Sequence, residues 1–182
     1  WQNDNFVRAD RLTLRNESKS MLGEGHVESA LYQARRRQPD GTRAIVPVFA
    51  ASSRMSYSDT ERLLRFDQGA DIKQGADRIT SEAAEVYLLK DTNEVEKTVA
   101  QQNVVVTQPG RRGTGEWGQY TAADETLVLK GEPARVEDAA QGTSESRRLT
   151  VFMREGRVVS DDATNNGQST GRIRSTHRVR KL

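Results

Sequence analysis

A spacing of seven residues between two apolar side chains, with a short polar turn between them, recurs along this chain of 182 residues. Apolar and polar residues alternate on both sides of each turn, as in half-buried antiparallel strands, whose successive side chains point to opposite faces. Three recurrences of one two-strand unit predict an internal repeat of β-hairpins. The pairs with this spacing are Leu14 and Met21, Tyr57 and Leu64, and Tyr120 and Leu127.

The clearest copies of the unit lie between Gly113 and Ala163. A strand that ends near Ala122 leads into a polar turn over Ala123–Thr126, whose residues are expected to be exposed, and then into a second strand. Gly131 and Pro133 are interpreted as a link to the next copy. In that copy Leu149, Val151 and Met153 share one face, Glu155 and Gly156 form the turn, and the strand resumes at Arg157–Val159.

Two stretches depart from the repeat. Asn103–Gln108 (NVVVTQ) is typical of a strand, whereas Asp91–Gln102 alternates only weakly and is interpreted as a turn followed by a strand. Arg35–Ile45 holds three consecutive arginines and a Pro-Asp-Gly turn, which indicates a solvated hairpin loop or an insertion at the surface.

The fold class that follows is all-β. No window of about 11 residues keeps the period of 3.6 that a helix requires. Consecutive hairpins that repeat every ~30 to 45 residues leave three architectures open: a jelly roll, a solenoid-like stack of hairpins and a barrel.

Composition and charge narrow the classes of function. Hydrophobic residues make up 34% of the chain, which predicts a thin core. The five basic residues between Gly171 and Leu182 leave 23 basic against 26 acidic residues in the rest of the chain. The body therefore lacks the basic stripe expected of a nucleic-acid-binding protein. The absence of cysteine excludes disulfides and thiolate chemistry, and it is consistent with a periplasmic protein.

The sequence also lacks recognisable catalytic and targeting motifs. His26 and His177 have no metal-ligand spacing, and no nucleophile elbow or phosphate-binding loop follows a strand. Acidic pairs such as Asp161 and Asp162 lie in predicted turns, so we expect no enzyme, no cofactor and no metal site. We expect no transmembrane segment and no signal peptide, which fits a mature protein or an excised region.

Three stretches resemble the OstA-like, or LptA-like, family of periplasmic lipopolysaccharide (LPS) transport proteins. They are NVVVTQ at Asn103–Gln108, GEWGQYTAADETLVLKGEPARVED at Gly115–Asp138, and SRRLTVFMREGRVVSDD at Ser146–Asp162. Ala9–Glu28 and Ser52–Ile72 are similar to further copies. The resemblance implies a β-jelly roll of stacked antiparallel hairpins in two facing sheets, open at its ends, over residues 1–163. Within the family, it fits the soluble bridge, the inner-membrane-anchored component and the outer-membrane partner's N-terminal domain alike.

The resemblance also implies a function in the periplasm. Lipid A acyl chains would lie in an apolar groove, and the unpaired sheet edges would join other Lpt-type jelly rolls, or copies of this chain head to tail, into a bridge between the membranes. Membrane association would come from partners or from a removed anchor. The alternative is a non-lipid structural β-repeat module that assembles edge to edge.

The interior lining is predicted from the inward parity of the strands. Each buried methylene of an acyl chain contributes about 0.8 kcal/mol, so an apolar lining suits carriage. The same residues would equally form a dry, close-packed core. The predicted lining consists of Leu12, Leu14, Met55, Tyr57, Leu64, Phe66, Val86, Leu88, Val104, Val106, Tyr120, Leu127, Leu129, Leu149, Val151 and Met153.

Residues 164–182 predict a loop followed by a basic terminal strand or tail. In a strand, one face carries Arg172, Arg174, Arg178 and Arg180. Such a face fits a charged edge that resists aggregation, or a contact with lipid phosphates or an acidic partner.

Overall fold

The fold is described by a computed structural model over residues 5–32, 34–37, 42–90, 92 and 94–160. All regular elements in these ranges are β-strands, which confirms the all-β prediction. They are β1 (Phe6–Arg8), β2 (Arg11–Arg15), β3 (Ser20–Leu31), β4 (Arg35–Arg37), β5 (Arg43–Ile45), β6 (Val48–Ser58), β7 (Leu63–Gln74), β8 (Asp77–Leu88), β9 (Val95–Gln108), β10 (Arg111–Thr121), β11 (Thr126–Asp138), β12 (Gly142–Phe152) and β13 (Arg157–Ser160).

Eleven of the strands form one antiparallel sheet in almost sequential order. Strands β1 and β2 both pair with β3, and β6 to β13 follow one another from the other side of β3. Strands β4 and β5 form a separate two-stranded hairpin inserted between β3 and β6. Neighbours in sequence are thus neighbours in space, as expected when short turns join antiparallel strands.

The seven-residue spacing marks residues that face each other across a hairpin. Each of the three predicted pairs is a directly opposed cross-strand pair, and Val151 and Val158 form a fourth. The turns between them end on a residue with positive φ, between 46° and 65°. This is the geometry of a four-residue hairpin loop that closes with a left-handed residue. The closing residues are Lys19, Arg62, Glu125 and Gly156.

Most long strands bend at the middle. The pairing register shifts near the middle of most pairs of long strands, for example between Asp67 and Ala70 in β7 and between Thr80 and Ala83 in β8. Positive φ angles at Gln68 and Gly69 turn the chain there. A β-bulge of this kind bends the strand and increases its twist, so aligned bulges fold the sheet along one line.

The bend line divides the sheet into two facing layers. Ile79 and Val86 of β8 lie seven residues apart, about 23 Å in a straight strand, yet both line one narrow cavity. Layer A holds β2, β13 and the half-strands next to the four-residue turns or next to the β8–β9 connection, and layer B holds β1 and the other halves. The two layers form the predicted jelly roll, although one folded sheet supplies both of them.

Two expectations for the Gly113–Ala163 region are corrected. Gly131 and Pro133 do not link separate strands, because β11 runs through them and bends there. Glu125 is buried instead of exposed, since its side chain turns inward and Oε2 accepts a hydrogen bond from Arg154 Nε at 3.1 Å. The strand predicted within Asp91–Gln102 is confirmed, since β9 begins at Val95, whereas residues 91 and 93 of the predicted turn lie outside the described residues.

The space between the layers holds two clusters of buried side chains. The N-terminal core is built from β3 and β6 to β8 around Met55, Leu64 and Phe66. The C-terminal core is built from β9 to β12 around Leu129 and Leu149. The boundary between these two cores positions the candidate site.

Candidate functional site

Apolar residues in cross-strand register line the inner face of each layer. In layer A the register continues across ten strands, and in layer B a second row runs opposite to it. The layer A row is Leu14, Met21, Tyr57, Leu64, Val86, Thr98, Tyr120, Leu127, Val151 and Val158. Ala50, Ile72, Ile79, Val106 and Val136 belong to the layer B row.

The structure places nearly all of the predicted lining residues between the layers. Every one except Leu12 and Leu14 lies in a core or packs against one. Leu12 and Leu14 share the register of the inner rows but are 44% and 58% exposed. Their strand, β2, is the last one of layer A, so no further strand of the described chain covers them.

A small cavity lies where the two cores meet. Its volume is about 60 Å³, which holds a few water molecules. Burial raises the pKa of the Tyr120 hydroxyl in its wall, so this group stays neutral near pH 7. Several residues of the cavity wall are absent from the predicted lining: Val48, Ile72, Ile79, Val95 and Thr98.

The free ends of the two layers form a lateral mouth opposite the bend line, and the residues beside it are polar. On layer B, Gln74 pairs in register with Asp77, and both line the cavity. On layer A, the mouth is bordered by the segment that leads into β9, where Glu94 is buried. An apolar floor with polar borders is therefore the arrangement that an amphiphilic ligand requires.

The β4–β5 hairpin lies across this mouth. Arg36 of β4 forms an ion pair with Asp77 and contacts the Gln74 carbonyl oxygen at 3.5 Å. Arg43 Nη1 of β5 lies 3.4 Å from Glu94 Oε2. A second cavity of about 170 Å³, with charged residues in its wall, lies beneath the hairpin and shares Arg36 and Tyr120 with the apolar cavity.

The prediction of a surface hairpin or insertion for Arg35–Ile45 is confirmed for the described residues, and the side chains of Arg35 and Arg43 are 58% and 64% exposed. The prediction did not include the contacts that Arg35, Arg36 and Arg43 make with both borders of the mouth. The sequence contains three basic residues in a row, and nothing near them in the chain indicates the carboxylates that they meet. The contact between Arg43 and Glu94 could not be predicted from local sequence patterns, because the two residues are 51 positions apart.

At the C-terminal end, the layers are joined by a different contact. Arg111 donates to Asp138 Oδ2 from Nε at 2.9 Å and from Nη2 at 2.7 Å. Its Nη2 also donates to the carbonyl oxygen of Gly156 at 3.0 Å, in a turn of layer A. Gln141 Nε2 donates to the same oxygen at 2.7 Å. Layer B is thus bonded directly to layer A here.

The N-terminal end of the sheet presents backbone edges. Within the described residues, β1 and β2 pair only with β3. Unpaired N–H and C=O groups along such edges accept a further strand. The predicted tail arginines Arg172, Arg174, Arg178 and Arg180 lie outside the described residues.

In the part of the chain that the structure describes, no cluster of three or more His, Cys, Asp or Glu side chains is arranged to hold a metal ion. His26 lies at the bend of β3, with an exposed ring whose Nδ1 is 2.8 Å from Asp10 Oδ2. Among the described residues, no helix has the length and apolarity needed to cross a bilayer.

The fold and the interior define a class: an open-ended antiparallel jelly roll with an apolar groove. The comparisons agree with this class. The model of the LptA/(LptD N-terminal domain) LPS transport protein family matches residues 50–157, more than half of the chain. The chain therefore belongs to this family, which is a family of transport proteins rather than enzymes.

A solved structure supports the fold. The chain is similar to LptH, the LptA homologous periplasmic component of the lipopolysaccharide transport device from Pseudomonas aeruginosa. The TM-score is 0.59 at 12% identity, and the match covers 71% of this chain and 95% of LptH. No curated protein sequence matches significantly. At this identity the likeness to LptH concerns the fold.

Proposed function

We propose that this chain is a periplasmic LPS carrier that holds lipid A acyl chains between its two layers and passes them along a bridge of paired jelly rolls. The observation that carries this proposal is the amphipathic groove: two facing rows of apolar side chains beneath a mouth bordered by Gln74, Asp77 and Glu94. Family membership supports LPS as the cargo.

The energetics favour an acyl chain as the ligand of the groove. Each methylene moved from water into the groove contributes about 0.8 kcal/mol, so a chain of ten methylenes gains roughly 8 kcal/mol before the costs of binding. The cavity of about 60 Å³ is too narrow for such a chain. Carriage therefore requires the layers to separate, which the antiparallel sheet permits by flexing along its bend line.

The sheet edges supply the second part of the function. A neighbouring jelly roll that pairs with β1 and β2 continues the groove from one protein into the next. Exposed Leu12 and Leu14 would then lie at the junction and extend the apolar floor. Partners are other Lpt-type proteins or a second copy of this chain.

Photo-crosslinking tests the proposal. We expect Tyr120→p-benzoylphenylalanine, in the cavity wall, to crosslink to LPS on irradiation. Tyr87→p-benzoylphenylalanine is the matched control, because Tyr87 lies on the outer face with Lys97 Nζ 4.3 Å from its ring centre. Crosslinks at position 120 and none at position 87 support the interior as the binding site, and equal labelling at the two positions refutes it.

A second candidate, a structural β-repeat module with a dry interior, is favoured by the narrowness of the cavity. The cores contain side chains that are almost fully buried, among them Phe66, Met55 and Leu129. Such close packing needs no ligand for stability. If position 120 labels no LPS while the protein still forms end-to-end multimers, the structural module becomes the better assignment.

A further inference from the structure

The β4–β5 hairpin contacts the borders of the mouth on both layers. Through Arg36 it contacts Asp77 and the Gln74 carbonyl on layer B. Through Arg43, and through Arg35 Nε at 3.9 Å, it contacts Glu94 beside layer A. These arginines belong to two short strands that pair with each other and, among the described residues, with no strand of either layer.

These ion pairs are of the kind that exchange easily. The Arg36 and Asp77 side chains keep 28% and 22% of their surface exposed, and that of Arg43 keeps 64%. Partly exposed pairs contribute little, because water and salt compete for both charges. Glu94 is the exception, since its side chain is 11% exposed and Oε1 has no hydrogen-bond partner.

The hairpin also lies above the place where the groove must widen. Arg36 forms part of the wall of the apolar cavity and of the second cavity beneath the hairpin. The Arg36–Asp77 and Arg43–Glu94 ion pairs lie beside the mouth, on the lateral route by which an acyl chain would reach the apolar cavity.

We propose that the β4–β5 hairpin is a clasp, which joins the two borders of the mouth and determines how readily an acyl chain enters the groove. The clasp consists of the ion pairs from Arg36 to Asp77 and from Arg35 and Arg43 to Glu94. This inference rests on the proposed function, since it assumes that acyl chains occupy the groove. It assigns the arginine insertion a role in controlling access from the side.

Stopped-flow binding of a fluorescent fatty acid, cis-parinaric acid, tests the clasp. The double variant Asp77→Asn, Glu94→Gln removes both carboxylates and is expected to take up the probe roughly five- to thirtyfold faster than the wild type, the factor that corresponds to one to two kcal/mol. The matched control is Asp71→Asn, Glu85→Gln. It makes the same charge change on strands β7 and β8, where both carboxylates pair with outward-facing arginines.

A charge-exchange pair guards against effects of misfolding. Arg36→Asp places two carboxylates together and should accelerate uptake, whereas Arg36→Asp combined with Asp77→Arg should restore the wild-type rate. If the clasp and control variants take up the probe at the same rate, the clasp is refuted while carriage stands. If no variant takes up the probe, the proposed acyl-chain site is refuted and the clasp with it.

Discussion

The two cores enclose the same kind of space but are closed in different ways. The N-terminal core is filled by large side chains, Phe66 and Met55 among them, and its mouth is spanned by an inserted hairpin through partly exposed ion pairs. In the C-terminal core, Leu129 packs against Gly113 and Gly118. There the layers are joined by Arg111, whose side chain is only 13% exposed.

This difference indicates which part of the jelly roll opens. An exposed ion pair is replaced by water at little cost, whereas a buried pair leaves an uncompensated charge when it breaks. Large side chains such as Met55 adjust their rotamers, but a leucine seated against glycine backbones has little freedom. We therefore expect the mouth to widen over the N-terminal core and the cavity, while the C-terminal core stays fixed.

The largest expected difference in stability is between variants of Arg111, which joins the layers at the C-terminal core, and of Arg36, which joins the β4–β5 hairpin to layer B. Arg111→Met leaves the Asp138 carboxylate, whose side chain is only 10% exposed, without its cation and removes the bond to Gly156, so we expect the free energy of unfolding to fall by about 3 kcal/mol. Arg36→Met is the matched variant in the other region. It should cost about 1 kcal/mol or less, because Asp77 can be hydrated.

Urea denaturation at pH 7 measures both values. Equal losses for the two variants would show that the contacts of Arg111 and Arg36 contribute equally to stability. That result would contradict the expected difference between the two cores. A larger loss for Arg36→Met than for Arg111→Met would indicate that the N-terminal core, and not the C-terminal core, is the one that stays fixed.

A pair of glycine substitutions sharpens the comparison of the cores. A Cβ at Gly118 would lie 3.1 Å from Val104 Cγ1 and 3.2 Å from Leu129 Cδ2, so Gly118→Ala should destabilise by about 2 kcal/mol through overpacking. A Cβ at Gly23, beside the N-terminal core, meets nothing closer than 3.4 Å. Gly23→Ala should therefore be close to neutral in thermal unfolding. A neutral Gly118→Ala would mean that the C-terminal core can relax.

The sequence predicts the hairpins well, and the physical reason is local. The spacing of Tyr57 and Leu64 is set by one turn and by alternation along two adjacent strands, all within a few residues. The bends were not predicted, because they depend on single residues such as Gln68 and Asn103 that adopt positive φ without any periodic pattern. Folding along the bend line then brings the two inner rows face to face.

The candidate site likewise has one part that the sequence predicts and one part that it does not. Its apolar lining follows from strand parity, so residues such as Val86 and Leu127 could be identified from alternation alone. Its charged borders could not, because Arg36 and Asp77 meet only after the sheet has folded and the hairpin has crossed the mouth. A charge in a sequence carries no local indication of its distant partner.

The smallest expected effect concerns acid stability. Burial acts to raise the pKa of Asp138, but hydrogen bonds from Arg111 and from the amides of Ala140 and Gln141 outweigh it and hold the pKa below its ordinary value. Since the folded pKa lies below the unfolded value of about 3.9, this stabilisation is complete above that pH and is lost as the pH falls through the folded pKa. The wild type should therefore lose about 1 kcal/mol more than Asp138→Asn between pH 5 and pH 2, as urea titrations at each pH would measure. If the wild type and Asp138→Asn lose stability in parallel, Asp138 has the same pKa in the folded and unfolded states. Its pair with Arg111 would then not explain why the C-terminal core stays fixed.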